Sequence, residues 1–326
     1  MKRAIALATA ALAVAAALTG CGAHARAADR LNSVGHDTST GTQPGQPAPS
    51  ATGGTATGTD TSTAAQLASV DDALNGIDRA LSGIDDQIAQ ADQGSDSDSS
   101  GMAVLSGSPS AASLAGPTSP SPHAGLDAWK AFVTTRIDLR LATLAALKIA
   151  VNGATNLTSS HRATLSGLIS SDTDGLTALR TKTNGETTVA AVKADGREMV
   201  VDYRIYMLVV PKMRFTVAGD AEAATIARLR TVHDTLVQVA TKLAGEGKDV
   251  SKENAQLADM ASKLDAATAA LDGQIDTLLA VAPSPDPDAM RAAVSPVRTA
   301  VRGARDDIRA AILDARQARL GLKALS

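Results

Sequence analysis

Chemistry in this chain could come from only a handful of residues. Cys21 is the single thiol, and a cysteine thiolate attacks electrophilic carbon where neutral hydroxyls do not. Of the five histidines, His24, His36 and His123 fall in Gly-, Ser- and Pro-rich stretches. His161 and His233 have no Cys, His or acidic residue at a metal-ligand spacing such as i+4 on one face. Asp234 follows His233 directly, but neighbours in a helix do not share a face, so no metal site is expected. Asp96-Ser97-Asp98-Ser99-Ser100-Gly101 repeats the first half of a calcium loop, yet its twelfth position is Gly107 rather than a bidentate acid. No Gly-x-Ser-x-Gly occurs, which removes the usual nucleophile elbow. Gly245-Glu246-Gly247-Lys248 lacks the spacing and the following Ser or Thr of a phosphate loop. Asp71-Asp72, Asp85-Asp86 and Asp306-Asp307 are paired only in sequence; on a helix such neighbours splay about 100° apart, which suits solvation rather than shared acid/base work. Tyr203, Arg204 and Tyr206 form the one cluster able to line a binding or interaction face, although aromatics filling gaps in an alanine-rich core account for them better. These patterns offer no catalytic residue and no cofactor, and the chain is expected not to be an enzyme.

The setting of the cysteine is more specific. Lys2 and Arg3 precede an apolar run from Ala4 to Leu18, 15 residues long. That is too short for an ordinary spanning helix and reads as an export signal. The run ends in Leu18-Thr19-Gly20-Cys21, which resembles the lipobox of bacterial lipoproteins. The resemblance covers about the first 21 residues, and it implies cleavage before Cys21, thioether lipidation of its sulfur and acylation of the new amino terminus. It also implies palmitate-type chains in the cell membrane, with the body on the extracytoplasmic face. Each buried methylene contributes about 0.8 kcal/mol, so two or three acyl chains anchor stably where one does not. The bland alternative is a secretory signal with an incidental cysteine. No later apolar run approaches 18 residues, the longest being Ile205 to Val210, so no further span is expected.

The elements that must carry these residues follow from composition and period. Residues 1–20 form the signal peptide. Residues 21–63 join the lipidated cysteine to a Gly-, Thr-, Pro- and Ala-rich tether, expected to be disordered, with a coil reach of roughly 35 Å. Residues 93–125 form a second linker of the same character. Between them, over 64–92, Leu67, Val70, Leu74, Ile77, Leu81, Ile84 and Ile88 follow a 3,4 spacing, the seam of a coiled coil or two-helix contact. Gly76 and Gly83 each cost about 1 kcal/mol relative to alanine, so this helix needs a partner to persist.

Residues 126–326 read as helical throughout. Helical spacing from Trp129 runs until Asn152-Gly153. Thr158, within the formal sequon Asn156-Leu157-Thr158, reads as the cap of a helix stopped at Asn184-Gly185. A long helix follows Asp220, and Gly245-Glu246-Gly247 turns the chain. One helix then carries Leu257 to Leu278, closed by Pro283, Pro285 and Pro287. The last starts near Asp288, with a kink expected at Pro296 unless the helix only begins there. Residues 200–217 are ambiguous: alternation on either side of Pro211-Lys212 allows a hairpin, while Met199, Tyr203, Tyr206 and Val210 share one helical face, and helix is favoured. The stretch from Arg136 through Phe215 resembles an uncharacterised group of exported, mostly helical bacterial proteins, a resemblance that implies no activity.

Charge is polarised. Net charge is −3, and residues 60–98 hold nine Asp and one Arg, whereas residues 289–326 hold seven Arg and one Lys against Asp306, Asp307 and Asp314. Three readings of the basic helix stand: a solvated face, pairing with the acidic helix within or between copies, and contact with anionic lipid or wall polymer. Trp129, Phe132, Tyr203, Tyr206 and Phe215 are the only aromatics, too few for ring-lined sugar or single-strand platforms. A net-acidic exported chain is not expected to bind nucleic acid.

The expected object is therefore an all-α, extended helical bundle of about six helices in antiparallel coiled-coil hairpins with disordered linkers. Its expected role is that of a lipid-anchored envelope interaction or scaffolding module, whose partners are the bilayer and a helical protein or a second copy. The alternative is a ligand-binding lipoprotein accessory to a transporter or sensor.

Overall fold

The computed structural model describes residues 62–93, 119–121 and 123–326. Among them the chain is all-α and holds no strand. Eight α-helices follow in order: α1 (Thr63–Gln93), α2 (Leu126–Gly153), α3 (Ser159–Gly185), α4 (Val189–Val201), α5 (Val210–Gly245), α6 (Ser251–Leu271), α7 (Gln274–Ala280) and α8 (Pro287–Leu325), with a π-helix at Ile205–Val209 between α4 and α5. Cys21, the lipobox and most of both linkers lie outside the described residues.

Two apolar clusters divide this helical bundle. The heptad residues of α1 from Leu67 to Ile88, together with Ala91, are buried in one cluster with residues of α5, α6 and α8. Alpha-helix α1 lies on α5 and α8, α6 packs on α8, and α5 touches all three of its neighbours. Side-chain pairs give the directions. Lys263 of α6 meets Asp314 of α8 at 2.7 Å, and Gln256 meets Gln317 at 3.0 Å, so α6 and α8 run antiparallel. The second cluster gathers Trp129, Phe132, Ile137, Leu144 and Leu147 of α2 with Leu165 and Leu176 of α3, Val192 and Met199 of α4, and Ile205 and Met213 beyond. Trp129 and Phe132 meet edge to face, with centroids 5.8 Å apart.

Local chemistry sets most boundaries. Thr158 caps α3 by accepting from the His161 N–H at 3.2 Å, and Thr188 does the same for α4 from Ala191 at 3.2 Å. Asp286 accepts from the N–H groups of Asp288 and Ala289, and Pro287 occupies the first turn of α8, where its missing N–H costs nothing.

Two expectations are corrected and two are sharpened. The helix after Gly247 does not run unbroken to Leu278: it stops at Leu271, and Gly273 at φ 64° restarts it as α7, a backbone that glycine adopts without strain. Alpha-helix α5 starts at Val210, ten residues before Asp220, with Pro211 in its first turn; the Pro-Lys pair that suggested a hairpin turn is a helix start. Residues 200–201 and 205–217 are helical, as favoured, and residues 202–204 turn the chain between them. Arg204 takes a left-handed backbone at φ 45° between α4 and the π-helix. Finally, α8 contains Pro296 within one continuous helix; proline there removes a ladder donor and clashes with the preceding turn, and the burial of Val294, Val297 and Val301 on both sides holds the helix through it.

Candidate functional site: a charged helix seam and a buried basic junction

The three residues singled out at the junction do not form one face. Tyr203 lies over α3, where a Cβ on Gly175 would meet its hydroxyl oxygen at 2.5 Å, so glycine is what leaves the ring its seat. Tyr206 turns to α2: the Arg140 guanidinium carbon sits 5.1 Å from its ring centroid, and the Thr143 hydroxyl donates to its oxygen at 3.5 Å. Arg204 points inward and is 1% exposed. Its Nε donates to the carbonyl of Ser284 at 2.9 Å and its Nη2 to that of Pro285 at 2.7 Å, while Nη1 has no partner.

Lys212 completes this junction. Its Nζ donates to the carbonyls of Leu279 at 2.8 Å and Val281 at 2.5 Å. Two buried side chains thus hold carbonyls at the end of α7, where the helix dipole favours positive charge, and in the loop leading to α8. Burial pulls the Lys212 ammonium below its ordinary range, against the nearby Asp172 carboxylate. The same burial pushes Asp172 up to about 6, against the pull of Lys212. Both groups lean towards their neutral forms because lost hydration outweighs their mutual attraction. The arrangement is a clamp: the hydrogen bonds of Arg204 and Lys212 go to main-chain oxygens.

The charged seam lies on the other core. Asp71, Asp78 and Asp85 recur every seven residues along α1, so they share one edge of the helix. On α8, Arg319 pairs with Asp71 and Arg316 with Asp78, while Arg305 and Arg309 both reach Asp85, at 2.7 and 2.5 Å. The partner numbers fall as the α1 numbers rise, so the two helices run antiparallel. Arg214 of α5 adds hydrogen bonds to Gln87 and Gln90. Of the three readings of the basic helix, the structure realises pairing with the acidic helix inside the chain.

Exposed pairs of this kind contribute at most about 1 kcal/mol each, whereas each buried Leu, Ile or Val of α1 contributes about 1.5–3 kcal/mol in gross apolar burial. Burial therefore holds the helix, and the ion pairs choose its partner and register. Between Asp78, Asp85, Arg309 and Arg316 the seam opens into a shallow groove of about 250 Å³, with Leu81 and Ile312 in its floor and Leu313 at its rim. Near Asp85 and Arg305, Glu222 of α5 is fully buried, with no hydrogen-bond partner for either carboxyl oxygen. Burial pushes this carboxyl up to about 9, against the pull of Arg305, so it is a neutral acid at pH 7.

A third constellation escaped the sequence. His161 Nδ1 lies 2.9 Å from Asp220 and its Nε2 3.2 Å from Asp276; Asp220 also accepts from the Thr158 N–H at 2.7 Å. Burial lowers the imidazole pKa, but the Asp220 hydrogen bond and charge, with Asp276, outweigh it and the net shift is upward. The ring bridges α3, α5 and α7. His233 approaches Asp234 to 3.3 Å at the surface, a contact the helical spacing alone did not suggest. Among the described residues no cluster of three metal-ligating side chains occurs, and no helix is long and apolar enough to cross a membrane. No protein-family model, curated protein or solved structure matches the chain.

Proposed function

We propose that this chain is a lipid-anchored helical interaction module of the bacterial cell envelope, held by an acylated Cys21 on the extracytoplasmic face and acting without catalysis. The observation that carries the reading is the seam of α1 on α8. The helix nearest the tether is fastened to the body by three aspartates at heptad spacing and four arginines, the pattern by which helices select partners. The Leu18-Thr19-Gly20-Cys21 motif supplies the anchor in this reading. The tether of residues 22–62 lets the body stand off the bilayer by roughly 35 Å. The buried charges of the junction fit the same role, because they satisfy main-chain groups and stiffen the body.

A ligand-binding lipoprotein is the second reading, and the groove between α1 and α8 is what favours it. Its about 250 Å³ falls below the usual 300–1,000 Å³ of small-molecule pockets, and its four charged wall residues are already engaged in ion pairs. The interaction reading is therefore preferred. Membrane fractionation with labelled palmitate tests the anchor: the unaltered chain is expected to take up label and sediment with membranes, and Cys21→Ser to do neither. Label and membrane retention unchanged in Cys21→Ser would overturn it. Crosslinking in native membranes tests the module, which predicts protein crosslinks to the body; none at all would count against it.

A further inference from the structure

We propose that α1 is an exchangeable helix, and that the partner of this module is a second copy of the same chain, joined to it by reciprocal exchange of residues 63–93. The proposal rests on the interaction-module reading and names its partner.

The placement of α1 carries the inference. Its packing runs through one apolar edge, Leu67 to Ala91, laid on α5 and α8. The aromatic core of α2 to α4 is built without it. Its covalent attachments are long. The 32 residues 94–125 join it to α2, and a chain of that length can extend to roughly 100 Å, enough to seat α1 on a neighbour as well as on its own body. Exchange requires no contact that is not already present, because the helix and its seat are identical in every copy.

Charge decides which surfaces meet. Asp71, Asp78 and Asp85 of one copy would repel the same residues of another across an α1–α1 contact, and the arginines of two α8 helices would repel likewise. The opposite arrangement places each aspartate row on a row of Arg305, Arg309, Arg316 and Arg319. A foreign α1 is thus steered to α8 and set in the same antiparallel register. Gly76 and Gly83 keep α1 from persisting unpacked, so a released helix must find a seat. Within one chain the linker supplies an effective concentration on the order of 1 mM. Exchange therefore becomes appreciable where copies are crowded to a similar density, which anchoring on one surface provides and dilution removes.

Two charge-reversed full-length chains test this in solution, each also carrying Cys21→Ser so that the outcome does not depend on the lipid. One carries Asp71→Arg, Asp78→Arg and Asp85→Arg; the other carries Arg305→Asp, Arg309→Asp, Arg316→Asp and Arg319→Asp. Neither can close on itself without like charges facing, whereas in a mixed pair both exchanged seams are complementary. Native mass measurement is expected to show a one-to-one dimer in the mixture, at least about tenfold tighter than self-association of either chain. Absence of that dimer, with residues 126–326 of each variant still protected from proteolysis, would overturn the proposal. Co-capture of two differently tagged, unaltered chains anchored on one membrane gives a second readout should a variant not fold: capture is expected, and its absence overturns the exchange. Because the mixing experiment runs without the anchor, its failure is distinct from failure of the lipidation reading.

Discussion

The two cores of this chain are made from opposite materials. The bundle of α1, α5, α6 and α8 is filled by Leu, Ile, Val, Ala and Met with Phe215 as its buried aromatic, and the ion pairs between α1 and α8 stand along helix edges. The cluster of α2, α3 and α4 holds Trp129 and Phe132, with Tyr203 and Tyr206 against it, and cations lie on its rings, Lys193 at 4.4 Å from the Trp129 centroid and Arg136 at 4.6 Å from that of Phe132. The difference follows from helix geometry. Long helices in side-by-side contact need narrow, repeating seams, and small aliphatic residues supply them. Such seams discriminate poorly between registers, so the aspartate and arginine rows set the register instead. The shorter helices around α4 meet at an irregular corner, where bulky rings fill space and a left-handed residue redirects the chain. One core is specified by charge at its edges, the other by shape within it.

The largest expected effects should separate the two. Leu74→Ala in α1 and Leu144→Ala in α2 each remove a fully buried side chain and should each cost about 2–5 kcal/mol. Amide hydrogen exchange should show lost protection mainly in α1 and α8 for the first and in α2 to α4 for the second. Uniform loss in both variants would merge the cores into one cooperative unit.

Glu222→Gln should come next. Burial pushes the native carboxyl up to about 9, against an unfolded value near 4.3. A raised carboxyl pKa means that the folded state binds the extra proton, so its contribution is complete at pH 4 and is lost as pH rises towards 9. Asp172, pushed up to about 6, acts in the same direction over a lower window, and His161, shifted upward from its ordinary value, acts in the same direction above about 6.5. The chain should therefore be more stable at pH 5 than at pH 8. Glu222→Gln should raise stability at pH 8 by roughly 2–4 kcal/mol and flatten the profile above pH 6, as read by thermal unfolding across pH. A profile unchanged by the substitution would mean that the carboxyl is already charged and solvated.

At the shape-specified corner, Arg204→Ala and Arg204→Gly both abolish the grip on Ser284 and Pro285. Only glycine accepts the left-handed backbone freely, so Arg204→Gly should be about 1–2 kcal/mol more stable than Arg204→Ala. Equal stabilities would show that the segment rearranges. The smallest effect belongs to the edge charges. Asp78→Ala should cost at most about 1 kcal/mol, and less in 1 M salt, where surface pairs are screened.

Much of the charge-specified core was legible because its signals are local. The 3,4 spacing from Leu67 to Ile88 marks the buried edge of α1 with no other information, and the acidic and basic ends of the chain can be counted directly. Register was not legible: nothing near Asp71 says that Arg319, 248 residues on, is its partner. The shape-specified corner was harder still. Arg204 and Lys212 bond to carbonyl oxygens, which every residue has and no sequence pattern marks. His161 meets Asp220 and Asp276 only because three helices converge, 59 and 115 residues apart in sequence. Gly273 could equally sit inside a helix, and only its positive φ shows the break. Tyr203, Arg204 and Tyr206 were a cluster in sequence, yet their side chains leave the backbone towards three different elements. The Leu18-Thr19-Gly20-Cys21 motif is the reverse case: the anchor proposed from it rests entirely on local sequence.

The seam itself is open to one direct measurement: amide hydrogen exchange of residues 63–93 in the full chain, in the chain with Arg305→Asp, Arg309→Asp, Arg316→Asp and Arg319→Asp, and in that chain with Asp71→Arg, Asp78→Arg and Asp85→Arg added. Pairing of α1 with α8 predicts protection in the first, loss in the second and recovery in the third. Rapid exchange in the unaltered chain, or protection that never returns when the charges are exchanged, would contradict it.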